Sequence, residues 1–168
     1  IKYIQSLLNV GFDTVDMGSF VSKKVIPQLS DTANVIKSLD LNNTQSKLLV
    51  IVANIKGAEI AAQYKKISCV GFPFSISENF QMRNTNRSID QSFKNLLVVK
   101  DIIDNSDKEL VVYLSMCFGN PYGDIWSLNI IDRWVSKLVD HGVKLISLSD
   151  TIGSATPKLI SDVFTFFS

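Results

Sequence analysis

The chain has 168 residues, of which 46% are hydrophobic and 20% are charged, a composition typical of a folded, core-forming domain. Seventeen basic and 16 acidic residues give a formal net charge of +1, which argues against nucleic acid or an anionic membrane as a partner. No apolar stretch approaches the roughly 20 residues of a membrane-spanning helix, and we expect no signal peptide at the start.

Strand-like and helical patterns alternate along the chain. A first helix with Ile1, Ile4, Leu7 and Leu8 on one face ends at Gly11. A short strand follows over residues 14–20, and continuous apolar runs predict four more strands over residues 47–54, 67–74, 110–115 and 144–148. Continuous hydrophobicity is typical of strands that are covered on both faces in a parallel sheet.

Helix starts are visible between these runs. Ser30 is a candidate N-cap, Ser88 with Gln91 forms a capping-box pattern, and Ser127 precedes a helical apolar stripe. Thr156 followed by Pro157 predicts the start of the last helix.

This order predicts an α/β fold built from βα repeats, either a doubly wound sheet or a (β/α)₈ barrel. The residues from Gly119 to Gly123 have neither the spacing of a dinucleotide-binding turn nor a phosphate-binding lysine, so we favour the barrel. A whole barrel needs about 250 residues, so the chain is expected to form a partial (β/α)₈ TIM barrel, roughly three strands short.

Cysteine and histidine give little indication of chemistry. Cys69 and Cys117 lie in or beside apolar runs and are expected to be buried free thiols of a cytoplasmic protein, with a disulfide or a nucleophile as the alternative. The lone His141 precedes the fifth strand, the end of a barrel that does not carry catalysis. No cluster has metal-ligand spacing, so no metal ligand is predicted in this chain.

Four segments that follow strands resemble 3-hydroxy-3-methylglutaryl-CoA (HMG-CoA) lyases. DMGSFVSKKVIPQ at residues 16–28 resembles the family's E-x-x-S-F-V-S-P-K-x-x-P-Q, and SENFQMRNTNRS at 77–88 resembles S-E-x-F-x-x-x-N-x-N-x-S. YLSMCFGNPY at 113–122 is similar to Y-V-S…G-x-P-Y, and SLSDTIGSATP at 147–157 is similar to S-L-x-D-T-I-G-x-x-T-P. The resemblance runs in register over almost the whole chain.

The resemblance implies a metal-dependent carbon–carbon lyase that cleaves HMG-CoA to acetyl-CoA and acetoacetate. It implies an acyl-CoA substrate, a divalent cation (Mg²⁺ or Mn²⁺), and a homo-oligomer for the full-length protein. A metal and a cationic donor would stabilise the negative charge that develops during cleavage.

The resemblance also implies roles for single residues. Asp150 and Asp16 are the candidate catalytic residues, Asp150 by hydrogen bonding beside the metal site and Asp16 where the family usually has glutamate. Ser19, Asn84, Ser115 and Thr151 are the candidate substrate-binding residues. Loop capping is the alternative role for Asp150, a surface amide for Asn84, and local backbone hydrogen bonding for the two serines.

The chain also departs from the family. Lys23 stands where the family has proline, and Val111 and Val112 stand where many members have Arg-Gly. By the resemblance, residues 1–168 are the central portion of one barrel domain and form strands two to six of that barrel, with the first strand and the last two absent.

The family's Arg-Asp pair and its H-x-H metal pair would then lie outside these residues, so the segment alone is expected to be inactive. A condensing enzyme of the isopropylmalate or homocitrate synthase type and a non-catalytic truncated barrel are the alternatives.

Overall fold

The computed structural model describes residues 1–22 and 24–167, so Lys23 lies outside the described residues. Within that part of the chain five strands alternate with helices: β1 Thr14–Ser19, β2 Lys47–Ile51, β3 Cys69–Ser75, β4 Glu109–Ser115 and β5 Leu145–Ser149. They form one sheet in the order β1-β2-β3-β4-β5, and the neighbours β1 and β2, β2 and β3, and β4 and β5 run parallel. The predicted α/β fold with a parallel sheet is confirmed.

The helices of the described residues are α1 Lys2–Val10, α2 Thr32–Ser38, α3 Ile55–Ala62, α4 Glu78–Thr85, α5 Ile89–Asp104, α6 Leu128–Asp140 and α7 Pro157–Phe166. A short 3₁₀ turn at Pro27–Leu29 precedes α2. None of these described helices combines the length and the apolar character needed to cross a bilayer.

Three of the four predicted helix starts are confirmed by their cap hydrogen bonds. The Ser88 and Gln91 side chains each accept the other residue's backbone N–H, at 3.1 and 3.0 Å, which is a complete capping box. The hydroxyl of Ser127 accepts from the N–H of Ile130, and that of Thr156 accepts from the N–H of Leu159. Each bond spans three residues, so the local sequence is enough to specify it.

Two local predictions are wrong. Ser30 does not cap a helix: its N–H closes the 3₁₀ turn on the carbonyl of Pro27, and α2 begins two residues later. No helix start is predicted between the third strand and Ser88, yet α4 starts at Glu78 with Ser77 as its N-cap. Helix α4 has no apolar stripe, and Gln81 is its buried residue, so hydrophobic periodicity gives no sign of it.

One compact unit consists of Ile1–Phe72 and Val98–Leu110. Its core is made of side chains that are at most 2% exposed, among them Leu8, Ile36, Leu48, Val50 and Ile67. At the start of the strands, Lys47 Nζ lies 2.9 Å from Glu109 Oε2. Lys66 Nζ donates to the carbonyls of Ile36, Lys37 and Leu39 at 3.2, 2.9 and 2.6 Å, and this ammonium therefore caps the end of α2.

The second unit consists of Pro73–Leu97 and Val111–Ser168. Its core is aromatic: the ring of Phe74 meets Trp134 edge-on at 5.0 Å, and Phe93 lies 5.8 Å from the same indole. Lys137 Nζ lies 4.2 Å from the centre of the Phe93 ring, a cation–π contact. The lone His141 is the C-cap of α6, and its Nδ1 lies 2.8 Å from the Lys137 carbonyl oxygen.

Candidate functional site

A β-bulge brings Asp16 and Ser19 to the same face of the sheet. Residues three apart on a regular strand point to opposite faces. Here Asp16 pairs with Leu49 and Ser19 pairs with Ile51, two positions further along β2, because the register shifts between Asp16 and Gly18. The extra residue re-aims the strand, which is the usual effect of a bulge. Both predicted residues therefore line one cavity of about 370 Å³.

Thr32 of α2 fixes the end of β1. Its Oγ1 accepts from the N–H of Ser19 at 3.2 Å and donates to the carbonyl of Leu29 at 2.8 Å. Gly18 permits this close approach, since a Cβ at that position would lie 2.9 Å from Thr32 Oγ1. The Ser19 side chain is buried, and its Oγ accepts from the N–H of Val21 at 3.0 Å. The predicted alternative for Ser19, local backbone hydrogen bonding, is thus observed.

A second cavity of about 440 Å³ opens beyond Ser19. Both cavities are lined by Ser19, Val21 and Leu29. The ring of Tyr64 in its wall stacks on Phe20 at 5.2 Å between centroids. The other residues that line it are Ser22, Ser30, Thr32, Ala33, Asn54, Lys56, Gly57 and Ile60. Ser19 therefore stands between two cavities at the carboxyl end of β1.

In the second unit, Thr151 supports the backbone that follows β4. Met116 has a left-handed φ of 67°, and its N–H donates to Thr151 Oγ1 at 2.8 Å. A methionine in this conformation is unusual and needs outside support. Ser115 is buried beside it, and its carbonyl accepts from the N–H of Ile76 at 3.3 Å. The structure thus brings Ser115 and Thr151 together around one strained residue.

Asp150 holds the loop that leads to α7. Its carboxylate accepts from the backbone N–H groups of Ser154 and Ala155 at 3.0 and 2.9 Å. The hydrogen bond from Ala155, followed by those from Ser154 and its neighbours, lowers the pKa of the Asp150 carboxyl below its ordinary value. Asp150 therefore occupies the loop-capping role that the sequence left open, and its proposed role beside a metal stays a prediction.

Asn84 is an exposed residue in the last turn of α4, two residues before the C-cap Asn86, which has the left-handed conformation with φ 53°. The predicted contact of Asn84 with an acyl group stays untested by the geometry.

Sequence reasoning missed Asp124. This carboxylate accepts from the hydroxyl of Ser77 at 2.5 Å and from the N–H of Asn79 at 3.1 Å. The bond from Ser77, ahead of those from Asn79, lowers the pKa of Asp124. Asp124 follows β4 at a position outside the motifs that the resemblance covers, so no local signal marked it.

The described carboxylates and thiols are not grouped as a metal site would require. Over residues 1–22 and 24–167, no three His, Cys, Asp or Glu side chains are grouped so that they could hold a metal ion. Both cysteines are free and buried, as expected. Burial raises the pKa of the Cys117 thiol to about 12, and its Sγ lies 3.0 Å from the carbonyl oxygen of Leu114, so this thiol is not a nucleophile near neutral pH.

The chain is similar to HMG-CoA lyases over its whole length. It is 33% identical to mouse mitochondrial hydroxymethylglutaryl-CoA lyase over 98% of the chain and 50% of that protein. It is 30% identical to the lyase YngG of Bacillus subtilis over 97% of the chain and 54% of that protein. No family model matches the sequence.

Solved structures of HMG-CoA lyases agree with this sequence similarity. The crystal structure of the Bacillus subtilis HMG-CoA lyase superposes with a TM-score of 0.92 and 29% identity, over 99% of this chain and 55% of that one. The Brucella melitensis HMG-CoA lyase gives a TM-score of 0.90 and 28% identity, over 98% of this chain and 58% of that one. The chain thus spans about half the length of the relatives it matches, and the predicted partial TIM barrel is confirmed.

Proposed function

Since the chain belongs to the hydroxymethylglutaryl-CoA lyase family, we propose that the full-length protein is a carbon–carbon lyase that cleaves HMG-CoA to acetyl-CoA and acetoacetate. The observation that carries this proposal is the match to lyases along the entire chain, with the four motifs at the carboxyl ends of strands. The last residue of β1, β3, β4 and β5 is a serine, namely Ser19, Ser75, Ser115 and Ser149. Barrel enzymes build their sites at these strand ends.

Asp16 and Ser19 are the residues of this chain that we assign to the acyl group. The Ser19 hydroxyl accepts from the N–H of Val21, and a hydroxyl that accepts a hydrogen bond can also donate one, here to a substrate oxygen. Asp16 lies on the same face and lines the same cavity. Aspartate is one methylene shorter than the glutamate of the family, so its carboxylate reaches less far into the site.

The divalent cation of the family, Mg²⁺ or Mn²⁺, would need ligands from outside this chain. The described residues present no group of three ligands for it, and Asp16 alone is insufficient. We therefore assign to residues 1–168 the orientation of the substrate, and to the rest of the protein the metal and the acid. On this proposal residues 1–168 are the central portion of a single barrel, strands two to six, of a homo-oligomer.

The cytoplasmic location stays a prediction, because the mouse relative is named as mitochondrial whereas the name of the Bacillus one carries no compartment.

Acetoacetate release from HMG-CoA tests the function. We expect the full-length protein to release acetoacetate in the presence of Mg²⁺ or Mn²⁺, and we expect this release to stop when EDTA is added. We expect the segment 1–168 alone to release none. Ser19→Ala should lower kcat/KM about ten- to a hundredfold, as for the loss of a hydrogen bond to a charged group. Ser38→Ala changes an exposed serine whose hydroxyl donates to the carbonyl of Asn34 in the same helix, and it is the matched control.

A full-length protein that releases no acetoacetate under these conditions refutes the proposed reaction. Acetoacetate from the segment alone refutes the assignment of the metal and the acid to the rest of the protein.

A further inference from the structure

Polar contacts are prominent in holding helix α4 in place. It has eight residues, and the one that is buried is the polar Gln81. A helix this short is marginal in water, and most helices gain their stability by packing an apolar face. Helix α4 has no such face, so its position depends on the groups that bond to its ends and sides.

Asp124 supplies three of these contacts. Its carboxylate accepts from the Ser77 hydroxyl, from the Asn79 N–H and from the Asn79 side-chain amide, the last at 2.5 Å. The Ser77 oxygen in turn accepts from the N–H of Phe80 at 3.1 Å, so Asp124 orients the N-cap itself. A carboxylate at this end of a helix also interacts favourably with the helix dipole.

The loop that carries Asp124 is built for this contact. Asn120 Oδ1 accepts from the N–H groups of Tyr122 and Asp124 at 3.0 and 3.1 Å, and its amide donates to the Asp124 carbonyl at 2.9 Å. The Tyr122 ring lies 6.4 Å from the ring of Phe80 and 5.1 Å from the guanidinium of Arg83. The segment 120–124, which we name the latch, therefore contacts both the first turn and the side of α4.

The contact extends to the next helix. Glu78, the first residue of α4, accepts from the N–H of Ile89 at 3.0 Å, and this N–H is the first of α5. Fixing the start of α4 thus also constrains residues 86–88, which join the two helices directly after the last turn of α4, where Asn84 lies.

We propose that Asp124 is a positioning residue: through the latch it sets the place of α4 and hence of Asn84, a substrate-binding residue by the resemblance to the lyase family. The catalytic half of this inference rests on the proposed function. The structural half does not rest on the proposed function, because it concerns the stability of helix α4 in the folded protein.

Hydrogen exchange of the full-length protein tests the structural half. Asp124→Ala should speed amide exchange over residues 79–85 about two- to thirtyfold, the range expected for the loss of a helix cap. Asp124→Asn keeps an acceptor for the Ser77 hydroxyl and should give a smaller increase in the exchange rate over residues 79–85. This variant tests the role of Asp124 if the alanine variant does not fold. Asp132→Ala, an exposed carboxylate on α6, is the matched control and should change nothing in α4. Exchange over 79–85 that is unchanged in both Asp124 variants overturns the inference.

Steady-state kinetics test the catalytic half. Asp124→Ala should lower kcat/KM about tenfold, because small misplacements of an orienting group are costly. In an Asn84→Ala background the same substitution should have no further effect on kcat/KM, while its effect on exchange persists. Losses that multiply in the double variant overturn positioning through Asn84. A full-length protein without lyase activity overturns the proposed function and with it this half, whereas the exchange comparison still decides whether Asp124 fixes α4.

Discussion

Gly18→Ala should destabilise the protein through a clash with one side chain, that of Thr32. The added Cβ would lie 2.9 Å from Thr32 Oγ1 and 3.0 Å from its Cγ2, both inside van der Waals contact. Thr32 is buried, so it cannot rotate away without breaking its bonds to Ser19 and Leu29. Overpacking of this kind costs about 1–3 kcal/mol. Urea unfolding at constant m-value measures the change in the free energy of unfolding.

A double-mutant cycle separates this clash from other causes. Thr32→Ala alone should cost about 1–3 kcal/mol, because the buried N–H of Ser19 loses its acceptor. In the Gly18→Ala, Thr32→Ala double variant the clashing atoms are gone, so the two costs should fall short of additivity by about 1 kcal/mol or more. Thr32→Ser retains the Oγ and should not relieve the clash in the same way.

Gly11→Ala is the matched control for that cycle. Gly11 has φ 84° and nothing within 4 Å of the new Cβ, so its cost comes from the backbone and should be additive with Thr32→Ala. Additive costs at Gly18 and Thr32, or a Gly18→Ala variant as stable as the parent protein, would refute the steric account of how Thr32 sets the end of β1.

Three further predictions concern single groups. Asp150→Asn should lower the urea midpoint at about pH 7. Because the folded-state pKa of Asp150 is lowered, the contribution of its carboxylate to stability is present above the unfolded pKa of about 3.9 and is lost as the pH falls through the folded pKa. Equal urea midpoints of the variant and the parent protein at neutral pH would contradict the loop-capping role. Lys66→Met should reduce stability by about 1–3 kcal/mol, since three carbonyls at the end of α2 lose a charged donor, whereas the exposed neighbour Lys65→Met should have almost no effect in the same unfolding assay. Cys117, with a pKa of about 12, should resist iodoacetamide at about pH 8 in the folded protein and react in urea, as measured by mass spectrometry; alkylation at equal rates in both states would contradict its burial.

The sequence alone determined the features that depend on near neighbours. The cap bonds at Ser88, Ser127 and Thr156 each join residues three apart, so residue type and spacing specify them wherever the chain goes. The continuous apolar runs likewise indicated buried parallel strands, because a strand covered on both faces has no polar side.

Only the tertiary structure decided the placement of Asp16 and Ser19. Their spacing of three predicts opposite faces, and the bulge that unites them is visible only in the pairing of β1 with β2. The sequence did not predict helix α4, because this helix has no apolar stripe and because the carboxylate that contacts its N-cap, that of Asp124, lies 47 residues from Ser77. Contacts between residues so far apart in sequence depend on how the core packs the elements together. A local pattern therefore specifies the helices and strands, whereas the tertiary structure determines which of their polar groups are in contact.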